Sequence, residues 1–104
     1  MDWKSSQIKR LIQALLILDN EDEVRRFLRD LMTEKEILEF SRRLRAAEML
    51  TEKIPYTTIE NETGLSSTTV ARVAKWLSGK EGGYRSIINK LHHHNISKLQ
   101  RGLS

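Results

Sequence analysis

Cysteine is absent from this chain, and proline occurs once, at Pro55. Without cysteine the chain has no disulfide framework and no thiolate metal site. Long apolar runs are missing as well, because the stretch from Leu11 to Leu18 is interrupted by Gln13 and is far shorter than the ~20 residues of a membrane-spanning helix. The N-terminus has no signal-peptide pattern. We therefore expect a cytoplasmic protein that does not associate with membranes.

Patterns typical of β-strands and of common enzyme families are also missing. No strand-length alternation of apolar and polar residues occurs, and we find no glycine-rich phosphate loop and no recognisable spacing of a nucleophile and a base. With 31% charged and 38% apolar residues, the composition suits one folded helical domain over residues 1–104. We predict an all-α protein that is not an enzyme.

Acidic residues are scarce in the second half of the chain. Residues 1–54 hold 11 acids and 11 bases, whereas residues 55–104 hold 3 acids and 7 bases, so the net charge of +4 lies entirely in the second half. A basic surface on one part of a protein is typical of nucleic-acid binding. A solvated basic face without a partner accounts for the same charge equally well.

Helical spacing of apolar residues predicts a first helix over about residues 3–18 with a broad apolar face. A chain of 104 residues has little with which to cover this face, so we expect it to pack against a second subunit. Asn20 and Thr33 are suited to cap the second and third helices, and Glu36 completes a capping box with Thr33. One side of the third helix carries the predicted core residues Ile37, Phe40, Leu44, Ala47 and Leu50.

Residues 56–77 have the pattern of a helix-turn-helix. The pattern consists of an apolar residue in the first helix, a glycine in the turn, an apolar residue directly after it, and two apolar anchors in the second helix. These are Ile59, Gly64, Leu65, Val70 and Val73. Glu60 departs from the pattern, because a small residue is usual at its position. An ordinary helical hairpin is the alternative.

In a DNA-binding helix-turn-helix, the N-terminal end of the second helix, Ser67–Leu77, enters the major groove. Hydroxyl groups there meet base edges or phosphates, Arg72 binds a guanine edge or a phosphate, and Lys75 binds a phosphate. The predicted DNA-contacting residues are Thr57, Thr58, Ser66, Ser67, Thr68, Thr69, Arg72 and Lys75. For each of them singly, a solvated side chain is the alternative.

His92, His93 and His94 follow one another in the sequence. Consecutive residues of a helix point in directions about 100° apart, so three imidazoles in a row do not converge on one metal ion. We interpret them as a surface tract and expect no bound metal.

Residues 28–91 resemble the tryptophan repressor superfamily, and within it the bacterial proteins of the YerC/YecD type. The resemblance is carried by LRDLMTEKEILEF, SRRLRAAEMLTEKIPYTTIENETGLSSTTVARVAKWL and YRSIINKL. It implies an all-α fold of about six helices and an intertwined homodimer built partly from the N-terminal helices. It also implies that the two helices of residues 56–77 read DNA.

The resemblance raises the question of a ligand site as well. The tryptophan repressor binds L-tryptophan with an Arg of its third helix and with a Thr and an Arg of its recognition helix. Arg45, Thr69 and Arg72 match those positions. Val73 and Trp76, however, stand where the repressor has a small Gly and a Ser, which implies an altered or closed pocket. We therefore expect no tryptophan corepressor and no other cofactor, and a closed pocket would leave Arg72 available for DNA.

These features together predict a sequence-specific, homodimeric DNA-binding transcriptional regulator, a repressor in our interpretation. One alternative is a protein-interaction helix-turn-helix, in which Trp76 and Tyr84 would form a shared exposed apolar patch. Another is a sensor of a small effector other than tryptophan, in which Arg45, Thr69 and Arg72 would line one cavity.

Overall fold

The computed structural model describes the backbone of residues 1–103 and the side chains of residues 1–94. Over that backbone the chain forms six α-helices and no β-strand, which confirms the predicted all-α fold. The helices are α1 (Ser6–Leu16), α2 (Glu21–Leu31), α3 (Glu34–Thr51), α4 (Tyr56–Thr63), α5 (Ser67–Leu77) and α6 (Gly83–Leu103). Within the described residues, no helix combines the length and the apolar character needed to cross a membrane.

The chain divides into two compact units, Met1–Ile37 and Leu38–Ser104. The first unit contains α1, α2 and the first turn of α3, and the second contains the rest of α3 and helices α4 to α6. The single domain over residues 1–104 stays a prediction.

Serine and asparagine caps set the starts of the first two helices. Ser5 has an extended backbone, and its Oγ accepts a hydrogen bond from the Ile8 N–H at 3.3 Å, so α1 begins at Ser6. The predicted start near residue 3 is therefore too early, because Ser5 caps the helix and residues 3–5 are not helical. Asn20 caps α2 as predicted, since its Oδ1 accepts from the Glu23 N–H at 2.9 Å.

Helices α1 and α2 contain no buried residue. The apolar face that the spacing predicts on α1 is present, but in the single chain Leu11, Leu15 and Leu16 are 41%, 46% and 78% exposed. Burying a side chain of this size is worth about 1.5 to 3 kcal/mol. Within one chain, the apolar side chains of the first unit thus stay partly or largely exposed, and the free energy that their full burial would contribute is not gained.

The capping box at the start of α3 is complete. Glu36 N–H donates to Thr33 Oγ1 at 3.1 Å, and Glu36 Oε1 accepts from the Thr33 N–H at 2.9 Å and from the Thr33 hydroxyl at 3.0 Å. These donors, the backbone N–H above all, lower the pKa of the Glu36 carboxyl below its ordinary value. The predicted roles of Thr33 and Glu36 are confirmed.

The end of α3 is a Schellman motif with a lysine in the left-handed conformation. Lys53 has φ 62°, its N–H donates to the Leu50 carbonyl at 3.0 Å, and the Ile54 N–H donates to the Met49 carbonyl at 3.1 Å. Pro55 follows Ile54, and proline disfavours helical geometry in the residue before it. The left-handed lysine was not predicted, because its position is usually filled by glycine.

The core lies in the second unit, where α4 packs against α5 and α5 contacts α6. Its buried residues are Ala46, Ala47, Met49, Ile59, Leu65, Val70 and Val73, and Leu50, Ile54, Tyr84 and Ile88 pack against them. The helix-turn-helix anchors thus form more than half of the buried core. This core is what holds α5 in place.

Three of the residues predicted on the core side of α3 lie outside this core. Ile37 and Leu44 are half-buried, and Phe40 is exposed. Phe40 is 42% exposed, and the Arg43 guanidinium lies 5.5 Å from the centroid of its ring. The prediction that Phe40 is buried on the core side of α3 is therefore wrong for the single chain, because the buried part of this helix begins only at Ala46.

Candidate nucleic-acid interface

The turn between α4 and α5 is built around Gly64 and Thr63. Gly64, the glycine that the motif requires in the turn, has φ 75°, and its N–H donates to the Glu60 carbonyl at 2.9 Å. The buried Thr63 hydroxyl donates to the Ile59 carbonyl at 2.7 Å and accepts from the Leu65 N–H at 3.2 Å. These bonds satisfy polar groups that would otherwise be unpaired beneath the turn. They also fix the direction in which α5 leaves it.

The start of α5 is fixed by a cap in which Ser66 and Thr69 take part together. Ser66 Oγ accepts from the Thr69 N–H at 3.2 Å and donates to Thr69 Oγ1 at 3.0 Å. Ser66 therefore caps α5, and the hydroxyl of the half-buried Thr69 is engaged with it. Ser67 and Thr68 follow directly and are exposed.

Helix α5 has one buried face and one exposed face. Val70 and Val73 are 0% and 3% exposed and anchor it in the core. Thr68, Arg72 and Lys75 lie on the other side and are exposed, as expected from a helical repeat of 3.6 residues. The structure thus brings the central predicted DNA-contacting residues onto one open surface of a firmly anchored helix.

A groove runs along this exposed side, with a volume of about 690 Å³. The α5 groove is lined by Thr68, Ala71, Arg72, Lys75 and Trp76 of the helix, and by Gly79, Lys80 and Glu81 after it. Three of its side chains are cations and one is a carboxylate. The surface is therefore basic where α5 is most accessible.

Thr57 and Thr58, the two predicted contacts on α4, are also exposed. They lie in the first turn of this helix, whose N-cap Pro55 makes no side-chain hydrogen bond to the helix. The first turn therefore has backbone N–H groups without an intrahelical partner. Such groups suit a phosphate oxygen.

Two of the five residues of the implied ligand site line the α5 groove. The α5 groove includes Arg72 and Trp76 but not Arg45, Thr69 or Val73. Val73 is buried in the core, whereas Trp76 is 61% exposed. Within one chain the indole of Trp76 therefore points to an open groove and does not fill an interior cavity.

The aromatic pair named for the protein-interaction alternative is likewise separated. Trp76 is exposed, but Tyr84 is half-buried and packs against the core. The two side chains do not form a shared exposed apolar patch of the kind that this alternative requires.

Arg85 was not predicted to have a role, yet it connects the end of α5 to the start of α6. Its Nη1 donates to the carbonyl oxygen of Leu77, the last residue of α5. A guanidinium at a helix C-terminus satisfies a free carbonyl and complements the negative end of the helix dipole. Because the partners are eight residues apart, no local sequence signal points to this bond.

The histidine tract lies on α6, where the rings of His92 and His93 meet edge to face with centroids 6.0 Å apart. All three histidines are exposed. Among the described residues, no group of three or more His, Asp or Glu side chains is placed to hold a metal ion.

Comparison with known proteins gives consistent matches. The family model described as Trp repressor protein matches residues 6–92. The uncharacterised protein YerC of Bacillus subtilis is 33% identical over 88 residues, which is 85% of each chain.

Two solved structures have the same fold. A TrpR-like protein from Eubacterium eligens matches with a TM-score of 0.81 at 36% identity, covering 86% of this chain and 93% of its own. A protein from Staphylococcus aureus, proposed to be a Trp repressor, matches with a TM-score of 0.82 at 33% identity, covering 88% of this chain and 95% of its own. The likeness thus extends over both units of the chain.

Proposed function

This chain belongs to the Trp repressor protein family, and we propose that it is a homodimeric, sequence-specific transcriptional repressor that reads DNA with α5. The family is one of helix-turn-helix DNA-binding regulators and not of enzymes. The proposal adds to this the residues that contact DNA, the homodimer and the direction of regulation.

The observation that carries the proposal is the two-sided character of α5. One side is locked into the core by Val70 and Val73, and the other presents Thr68, Arg72 and Lys75 to solvent. Arg and Thr are side chains that discriminate base edges in the major groove, and Lys neutralises phosphate. A rigidly held helix with such an open face is suited to enter the groove.

The homodimer is supported by the uncovered apolar face of α1. The first unit has no buried residue in its two complete helices, and this face would cost free energy if it stayed in water. A second copy of the chain would supply an equally apolar face. Pairing also suits the reading of DNA, because a twofold dimer presents two recognition helices to two half-sites.

We propose that tryptophan does not act as a corepressor. The support is that Val73 is packed into the core and that the α5 groove, which Arg72 lines, does not include Thr69. Isothermal titration of the protein with L-tryptophan should then give no binding heat at micromolar concentrations. Saturable heat in that range would contradict this part of the proposal.

Selection of bound sequences from a random duplex library tests the function directly. We expect enrichment of a pseudo-palindrome whose half-sites are centred about 34 Å apart, or a multiple of that distance, along the helix axis. Enrichment of no sequence, or of a single unpaired half-site, would contradict a dimeric sequence-specific reader.

A further inference from the structure

Trp76 is the most exposed aromatic residue of the second unit, with 61% of its surface accessible. It follows Arg72 by one helical turn and lies next to Lys75 in the sequence, so all three border the α5 groove. Indole rings are usually buried for most of their surface. An exposed indole among cations is therefore suited to contact a partner that has both apolar and anionic parts.

The charges around Trp76 indicate which chemical class of partner the α5 groove can bind. Arg72, Lys75 and Lys80 line the α5 groove, and among the ion pairs within residues 1–94 none involves these three cations. Glu81 is the single carboxylate of the groove. An apolar protein surface would remove water from three cations without compensating them, which is costly. An anionic partner compensates them.

We propose that Trp76 is a DNA-contacting residue, which rests on the proposed function of α5. Its indole Nε1–H donates a hydrogen bond to a phosphate oxygen, and its ring packs on the adjoining deoxyribose. The indole N–H is a donor without acceptor character, which suits a phosphate oxygen. Lys75 and Lys80 neutralise the same stretch of backbone. The α5 groove is thus a binding site for one DNA strand and not a cavity for a small effector.

The chain offers a direct spectroscopic test, because it contains only two tryptophans, Trp3 and Trp76. Trp3→Phe leaves Trp76 as the sole indole and changes a similarly exposed residue of the first unit. This variant is titrated with an unlabelled duplex enriched from the random library, and indole emission is followed. Binding of the same duplex with an end label is followed in parallel by anisotropy.

We expect Trp76 emission to change in step with the anisotropy. Iodide should quench Trp76 in the free protein, and the duplex should protect it. If anisotropy shows binding while emission and quenching stay unchanged, the inference about Trp76 is overturned and the proposed function stands. If iodide cannot reach Trp76 in the free protein, a second copy of the chain covers it and the inference fails. If no duplex binds, both fail.

Substitutions of Trp76 distinguish the contribution of its hydrogen bond from that of its ring packing. Trp76→Phe keeps an apolar ring and loses the donor, so the Kd for the duplex should rise about tenfold, and Trp76→Ala should raise it further. Trp3→Phe should leave Kd unchanged. Glu81→Gln should lower Kd, since it removes the carboxylate of the groove. Unchanged binding by both Trp76 variants, with circular dichroism showing the parent's helix content, would overturn the inference.

Discussion

Two residues in the left-handed region of backbone conformation end helices α3 and α4. Gly64 has φ 75° and Lys53 has φ 62°. Glycine adopts this conformation freely, whereas a side chain with a Cβ atom pays roughly 1 to 2 kcal/mol for it. The two helix ends thus have the same backbone geometry, but this conformation is less favourable in free energy for Lys53 than for Gly64.

Lys53→Gly should therefore stabilise the protein by about 1 kcal/mol, because it relieves the strain while keeping both hydrogen bonds of the motif. Urea unfolding monitored by circular dichroism measures the change as a higher midpoint with an unchanged slope. The control is Gly64→Ala, which adds a Cβ atom at the other left-handed helix end. No heavy atom lies within 4 Å of the added Cβ, so any loss reflects backbone strain alone. A lower midpoint for Lys53→Gly would refute the assignment of strain.

Thr63 is the buried polar residue on which the turn before α5 depends. Thr63→Val keeps the shape but leaves the Leu65 N–H without its partner, so the free energy of unfolding should fall by about 1 to 3 kcal/mol. Thr63→Ser, which keeps the hydroxyl, is the control and should lose less. Thermal unfolding of the two variants side by side distinguishes them, and equal losses would mean that the hydrogen bonds contribute little.

At the scale of elements, the N-terminus of α3 carries a pH-dependent cap. The pKa of Glu36 is lowered in the folded protein by the Thr33 N–H and then by the Thr33 hydroxyl. A group whose pKa is depressed on folding stabilises the fold above its unfolded pKa and loses this contribution as the pH falls through its folded pKa. The cap is therefore complete at neutral pH and weakens only under acid conditions.

A titration of the Glu36 carboxyl by NMR should give a pKa below the ordinary glutamate value. Thr33→Val removes the hydroxyl donor and leaves the N–H, so the depression should shrink without vanishing. Thr33→Ser should preserve it. An ordinary pKa for Glu36 in the parent protein would contradict the capping geometry.

The joint between α5 and α6 depends on Arg85. Arg85→Met should lower the free energy of unfolding by about 1 kcal/mol and speed amide exchange in the last turn of α5, because the Leu77 carbonyl loses its charged donor. Lys90→Met removes a cation from the same helix and serves as the control. If α5 exchanges at the parent rate in Arg85→Met, the bond does not hold the C-terminal end of α5.

At the scale of the whole molecule, the apolar face of α1 predicts self-association. Sedimentation at micromolar concentration should give a mass near twice 12.1 kDa. Leu15→Asp places a charge on this face and should shift the mass towards that of one chain, whereas Gln13→Asp, on an exposed polar position of the same helix, should not. A parent protein that sediments as a monomer would contradict the homodimer.

The sequence predicts those parts of the fold that local patterns determine. Ile59, Gly64 and Leu65 lie where the motif requires, since their spacing itself defines the turn. The exposure of Phe40 cannot be predicted from its spacing, because a helical repeat shows which side of a helix is apolar but not whether the same chain covers that side. The bond between Arg85 and Leu77 depends on how α6 returns past α5, which no local pattern contains.

In the candidate site, too, some features can be predicted from the sequence and others cannot. The exposed positions of Thr68, Arg72 and Lys75 follow from the anchoring of the opposite face and were predicted. The engagement of Thr69 in the Ser66 cap and the exposure of Trp76 depend on side-chain conformation and on the groove beyond the helix. Neither feature follows from a local sequence pattern.

The central claim is that α5 binds DNA through its exposed cations, and the binding of one double variant tests it most directly. The Kd of Arg72→Ala/Lys75→Ala for a library-selected duplex should rise about 100-fold or more, and its dependence on salt concentration should become less steep. Arg29→Ala/Lys35→Ala removes the same charge from the first unit and should bind nearly as the parent does. If the Arg72 and Lys75 variant retains the parent's Kd and salt dependence while remaining folded, α5 is not the DNA-reading helix.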